Sequence, residues 1–282
     1  MEVLSIVALK AICYIFIGPW RKKSIVKEHL LRVSLGVGLV LLLCSACTGA
    51  PAESTLTVAA AASLTNLFNE LGEAFTAETH IPVIFSFAAT GTLAEQIRNG
   101  GPFDLFASAD AYHVDALIEE GFIDSSSRYE FAHGNLVLIV DPVLEGRITE
   151  LSDLSDPRIS RISVANPAHA PYGSAAIDAI QQAGIKELVE KKIVFGETVR
   201  QAAQIVETGN ASAGLVAASV VTEERVHSFE IDGSLYRPII HVIGVRHGSP
   251  KSAEANRFIA FLSSPQGQNL LEKHRFHLPQ ER

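Results

Sequence analysis

The sequence predicts an α/β protein of two lobes, each a mostly parallel sheet flanked by helices. Three observations carry this expectation. Strand-like and helix-like apolar patterns alternate from Leu56 onward, which is the pattern of βα units. Four strand-to-helix junctions are built from small, hydroxylated or glycine residues: Thr57–Asn66, Phe85–Thr92, Ala165–Ser174 and Phe195–Arg200. All three cysteines, Cys13, Cys44 and Cys47, fall in the first 47 residues, so residues 48–282 fold without a disulfide. That length can bury a large core in one domain or two.

Taken in order, Leu56 to Ala60 is a short apolar run. Leu64, Leu67, Phe68, Leu71 and Phe75 then fall on one helical stripe. Pro82 to Phe87 reads as a strand, followed by a short helix through Leu93, Ala94 and Ile97 that stops at Asn99-Gly-Gly-Pro102. Asp104 to Ala107 is a strand, and Val114, Leu117 and Ile118 mark a helix closed by Gly121. Leu136 to Val140, Ile162 to Ala165, Ile193 to Phe195 and Ala213 to Val216 are strands, with helices over Ala175–Ala183 and Arg200–Thr208. Ile239 to Val245 is a further strand, and Ala253–Leu262 and Gln266–Lys273 are helical. The chain is expected to cross between lobes near His133 and near Arg237-Pro238. One lobe then comprises 48–133 plus 238–282, the other 134–237, and the C-terminal helices return to the first.

The first 47 residues read as a leader. Arg21, Lys22, Lys23, Lys27 and Arg32 precede a mostly apolar run, Leu31–Leu43, which ends in Leu43-Cys44-Ser45-Ala46-Cys47. Small residues immediately before a cysteine resemble a bacterial lipoprotein signal, in which Cys47 becomes the lipidated first residue. Cys44 stands where leucine is usual. A Cys-x-x-Cys redox or metal pair is the competing reading, although no βαβ pattern encloses it. Residues 1–20 are a second apolar stretch, broken by Lys10 and Pro19, marginal for a membrane span. Initiation near Val26 would leave an ordinary signal; because Met1 is the only methionine, that start is non-AUG. Thr48 to Ser54 is expected to be a flexible tether.

Without the six basic and two acidic residues of the leader, 17 Lys and Arg face 29 Asp and Glu, a net charge of −12. Nucleic acid is therefore excluded as a partner. An anion would have to be held by local dipoles against the overall field. Helix N-termini supply such dipoles, with unpaired N–H groups and about half a positive charge. At the four junctions, Ser63 reads either as a helix cap or as an anion donor, as does Thr90. Gly91 either makes the turn or lets a ligand approach the backbone. Tyr172 is a core or a ligand residue, and Val199 can offer only its backbone N–H. Asp110 near Ser108 reads as a helix cap. The histidines are scattered without metal-ligand spacing and read as ordinary surface or loop residues.

Ala60-Ala-Ala-Ser63-Leu-Thr-Asn66, Ser86-Phe-Ala-Ala-Thr90-Gly-Thr-Leu-Ala-Glu-Gln-Ile97, Asp104-Leu-Phe-Ala-Ser-Ala-Asp110 and Asn166-Pro-Ala-His-Ala-Pro-Tyr172-Gly173 together resemble the extracytoplasmic molybdate-binding proteins of ABC transporters. The resemblance runs in order and spacing from Leu56 to the C-terminus. It implies a type II periplasmic-binding-protein fold that closes on molybdate or tungstate through hydroxyls and backbone N–H groups, with no counter-cation and no cofactor. By position it implies Ser63, Thr90, Tyr172 and Val199 as the ligand set, Tyr172 replacing a tyrosine that some members carry where this chain has Ala217. It further implies a monomer that delivers its cargo to an ABC permease; the lipoprotein-like signal adds the expectation of a lipid anchor at the cell envelope through Cys47. The rivals are a protein of the same fold for sulfate, phosphate or an organic anion, and a secreted hydrolase using Ser63. For the latter no Gly-x-Ser-x-Gly elbow is present. Glu197 is the one carboxylate in these segments near the proposed ligands and is expected to point away, leaving a donor-only site.

Overall fold

The computed structural model describes residues 55–144 and 146–279, which lie within one compact unit, Glu53–Arg282. The leader, Cys47 included, lies outside the described residues. Among those described, no helix is long and apolar enough to cross a membrane.

The first sheet begins with β1 (Leu56–Ala61), β2 (Val83–Ala88) and β3 (Leu105–Ser108), paired in parallel with β1 in the middle. The helices that follow them are α1 (Thr65–Thr79), α2 (Thr90–Arg98) and α3 (Ala111–Glu119). β1 and β3 are buried along almost their whole length, which explains their continuous apolar runs. β2 lies at the edge and alternates, leaving Ile84 exposed. β4 (Tyr129–Gly134) ends this part of the chain, and β5 (Leu136–Val140) opens the second sheet one residue later.

The second sheet contains β5, β6 (Ile162–Ala165), β7 (Ile193–Gly196), β8 (Ala213–Ala217) and β9 (His227–Glu230) in the order β7-β6-β8-β5-β9. α4 (Pro171–Gln182), the single turn α5 (Lys186–Val189) and α6 (Val199–Glu207) connect its parallel strands. The chain then returns through β10 (Ile239–Val245), α7 (Ser252–Leu262), α8 (Pro265–Lys273) and β11 (Phe276–His277). This completes the first sheet in the order β11-β4-β10-β3-β1-β2.

The α/β class with two helix-flanked sheets is the one the sequence predicts. The parallel character expected of each sheet holds for β2-β1-β3 and β7-β6-β8. β10, β4 and β11 extend the first sheet antiparallel, and β5 and β9 do so for the second. Of these, β4, β9 and β11 are strands that the apolar pattern does not announce. Glu130 and His133 interrupt β4, and His227 and Glu230 bound β9, so both read as polar connections.

The C-terminal helices pack back onto α1. Phe75 meets Phe258 and Phe261 edge-on with ring centroids 5.2 and 5.6 Å apart, and Lys273 and His274 both reach Glu70. Truncating Phe75, which is fully buried, would cost about 3–5 kcal/mol. Three α-helix starts among the described residues are capped by side chains. Asp110 accepts from His113 N–H as expected, Thr198 from Gln201 N–H, and Ser264 from Gly267 N–H. The capping reading of Ser63 and Thr90 is corrected: Leu64 and Ala89 hold the N-cap positions of α1 and α2, with no side-chain cap.

Candidate functional site

The carboxyl ends of the parallel strands in both sheets face one cavity, where helix N-termini gather in α/β folds. Ser63 lies in a 3₁₀ turn between β1 and α1. Thr90 is the first residue of α2, Tyr172 follows Pro171 in the first turn of α4, and Val199 is the first residue of α6. All four line the same cavity, completed by six alanines and Pro171. Each is at most 4 % exposed. The structure therefore brings together the four residues singled out in the sequence, two from each sheet. Ala217 is not among the lining residues, and neither is Glu197, which is exposed.

No charged side chain lines the cavity. Its polar groups are hydroxyls and helix-terminal amides. As the first residue of α6, Val199 has no intrahelical acceptor for its N–H. Thr90 Oγ1 accepts from Ala109 N–H at 3.1 Å, which leaves its own hydrogen free. The Tyr172 hydroxyl is buried without a protein partner among the described residues, and burial first, then Tyr236, raises its pKa above the usual phenol range.

Ser63 Oγ lies 3.1 Å from His241 Nε2. His241, on β10, is fully buried and ringed by Phe131, Tyr172 and Phe276. Burial pushes its pKa down from 6.5 to about 3; the Asp110 charge opposes this and His133 adds to it. This histidine corrects the reading of the histidines as surface or loop residues. Its signal was available: a titratable side chain in the centre of the apolar run Ile239–Val245. A serine beside a histidine also invites a hydrolase reading. However, the third member of a triad is missing, because Nδ1 has no hydrogen-bond partner among the described residues, and a ring held neutral by burial is a poor base.

The cavity has a volume of about 10 Å³, near the least that accommodates one water. Hydrogen bonds between segments attached to the two sheets hold the walls this close. Gly91 N–H donates to His169 O at 2.9 Å, Ser219 Oγ to Ser63 O at 2.8 Å, and Asn66 Nδ2 to Ser219 O at 2.9 Å. Gly91 thus admits a close approach, but by the His169 backbone rather than a ligand: a Cβ there would meet His169 Cα and O at 3.2 Å. Among the described residues no cluster of His, Cys, Asp and Glu could hold a metal ion.

Two sheets linked by two chain crossings, with a small uncharged cavity at the carboxyl ends of their parallel strands, define a solute-binding protein. The chain belongs to the bacterial extracellular solute-binding protein family, whose match spans residues 56–277. It is similar to the molybdate-binding protein ModA of Rhodobacter capsulatus, at 33% identity over 79% of this chain and 88% of that protein. The ModA of Azotobacter vinelandii is 32% identical over 88% of this chain and 97% of its own length. The solved structure of the Azotobacter vinelandii periplasmic molybdate-binding protein superposes with a TM-score of 0.75 and 26% identity, covering 80% of this chain and all of that one.

Proposed function

We propose that the protein captures molybdate or tungstate outside the cytoplasmic membrane and delivers it to an ABC permease. One observation carries this reading: Ser63, Thr90, Tyr172 and Val199 converge on a cavity that offers donors and no charged side chain. Molybdate is a fully deprotonated dianion at neutral pH and needs donors alone. The names of the relatives point to the same cargo.

Hydrogen bonds to a charged group contribute roughly 1.5–3 kcal/mol each. Five to seven of them, less the costs of ordering and desolvation, reach about −8 to −12 kcal/mol, which is micromolar to nanomolar affinity. The two sheets with their helices act as lobes, 48–133 plus 238–282 and 134–237. The bonds made by Gly91, Ser219 and Asn66 belong to the closed arrangement, which presents one joined surface to the permease. The protein works as a monomer without a cofactor.

Calorimetric titration of the full chain with molybdate, tungstate, sulfate and phosphate tests the reading. Molybdate and tungstate are expected to bind tightest. Phosphate, which keeps a proton and needs an acceptor, should bind at least a hundredfold more weakly, a gap of about 2.7 kcal/mol. Preference for sulfate or phosphate would overturn the assignment. We also propose that Cys47 carries the lipid anchor: Cys47→Ser should move the protein to the soluble fraction, whereas continued retention would indicate an uncleaved N-terminal span.

A further inference from the structure

We propose that His241 is a positioning residue that donates from Nε2 to Ser63 Oγ, so that the Ser63 hydroxyl hydrogen is left free to point at the bound anion. This role rests on Ser63 being an anion donor, as proposed above.

A neutral imidazole carries one N–H, so the 3.1 Å contact between Ser63 Oγ and His241 Nε2 has two possible polarities. If the hydrogen sat on Nδ1, a buried N–H would face no acceptor, because Nδ1 has no protein partner among the described residues. Nε2 would then have to accept from Ser63, which would turn serine lone pairs toward the cavity. A dianion would meet oxygen instead of hydrogen. With the hydrogen on Nε2, the ring leaves only a lone pair unpaired, and orphaned donors are rarer than under-satisfied acceptors. Ser63 then accepts from behind and donates forward.

Thr90 provides an internal comparison. Its oxygen is backed by an N–H whose polarity is fixed, that of Ala109, at the same 3.1 Å. The two aliphatic hydroxyls of the cavity, Thr90 and Ser63, would thus each have a protein N–H behind them, one from backbone and one from a side chain. A hydrogen bond received also strengthens the one given, since chains of such bonds polarise one another. The aromatic rings of Phe131, Phe276 and Tyr172 hold the imidazole in place and keep it dry.

The test is direct observation of the ring in the full chain labelled with ¹⁵N-histidine and held in detergent. Couplings between ring nitrogens and ring hydrogens show which nitrogen is protonated, and His241→Gln, by deleting one spin system, identifies the signal. The hydrogen is expected on Nε2 with and without sodium molybdate; a hydrogen on Nδ1 would overturn the proposal. Affinity supplies a second readout that packing alone would not move. His241→Leu should weaken molybdate binding about tenfold, and His241→Gln, whose amide can donate to Ser63, should recover most of that. In a Ser63→Ala background, His241→Leu should change affinity less than about twofold. Equal losses in both backgrounds would make His241 a packing residue and end the proposal. A wild-type chain that takes no oxyanion removes function and positioning role together, whereas one that binds molybdate with Nδ1 protonated removes the positioning role alone.

Discussion

Gly134 ends a strand of the first sheet and Tyr172 lies in the first turn of a helix attached to the second, yet the glycine sets where the phenol can lie. A Cβ on Gly134, the last residue of β4, would overlap the Tyr172 hydroxyl oxygen and come within 2.9 Å of His241 Cε1. Gly134→Ala must therefore displace the phenol, at a stability cost of about 1–3 kcal/mol. A ligand at a thousandfold excess over its Kd stabilises the folded state by about 4 kcal/mol, so millimolar molybdate should raise the melting temperature of the wild type by several degrees. Gly134→Ala should show a smaller rise, and adding Tyr172→Phe should take nothing further from it. A full-sized rise in Gly134→Ala would mean that the phenol gives the anion nothing.

Ser63→Ala and Thr90→Ala each remove a hydroxyl donor, and each should weaken molybdate binding by roughly 1.5–3 kcal/mol in calorimetry. They should differ in stability. Thr90→Ala leaves the buried Ala109 N–H without its acceptor, a further cost of about 1–3 kcal/mol in urea unfolding. Thr90→Ser keeps the oxygen and should restore both properties. Val199→Ala should be nearly silent toward ligand, because the backbone N–H survives the change.

Ser219 holds the Ser63 segment twice, through its hydroxyl and through its carbonyl. Ser219→Ala removes the first of these and should lower molybdate affinity by about 0.5–1.5 kcal/mol without touching a cavity-lining side chain. Small-angle scattering of the ligand-free variant should show a larger radius of gyration than wild type. An unchanged affinity would show that this bond has no part in closure.

Acid should unfold the protein partly through His241. Its folded-state pKa, about 3, lies below the ordinary 6.5, so the folded state binds fewer protons than the unfolded state between these values. The stability linked to this group is complete above about pH 6.5 and is lost as the pH falls toward 3. Urea midpoints measured from pH 7 to pH 4 should fall less steeply in His241→Gln than in wild type. Parallel slopes would place the acid sensitivity elsewhere.

How much of this could be read from the chain depended on the kind of signal. α1 was legible because five apolar residues repeat at helical spacing, and β1, β3, β5 and β8 because strands buried on both faces are continuously apolar. β4 and β9 were not, because edge and crossover positions tolerate Glu130, His133 and Glu230. Ser63 and Thr90 stood out as hydroxyls at strand-to-helix junctions, although geometry assigns neither to capping. Val199 has no chemical signature of its own and was reachable only through family resemblance. His241 was overlooked for the opposite reason: nothing in its sequence neighbourhood shows that Ser63, far away in the chain, lies beside its ring.

The uncharged cavity wall has an electrical consequence. With no charged side chain lining it, and with the Tyr172 phenol kept protonated by burial, loading exchanges no protons with the solvent, and measured heats should be the same in buffers of different ionisation enthalpy. The charge of the cargo is also not neutralised by its container. A chain of formal charge −8 that takes up a dianion becomes more negative by the full two units. Loaded and empty forms should therefore separate on a native gel by charge, independently of any change in shape.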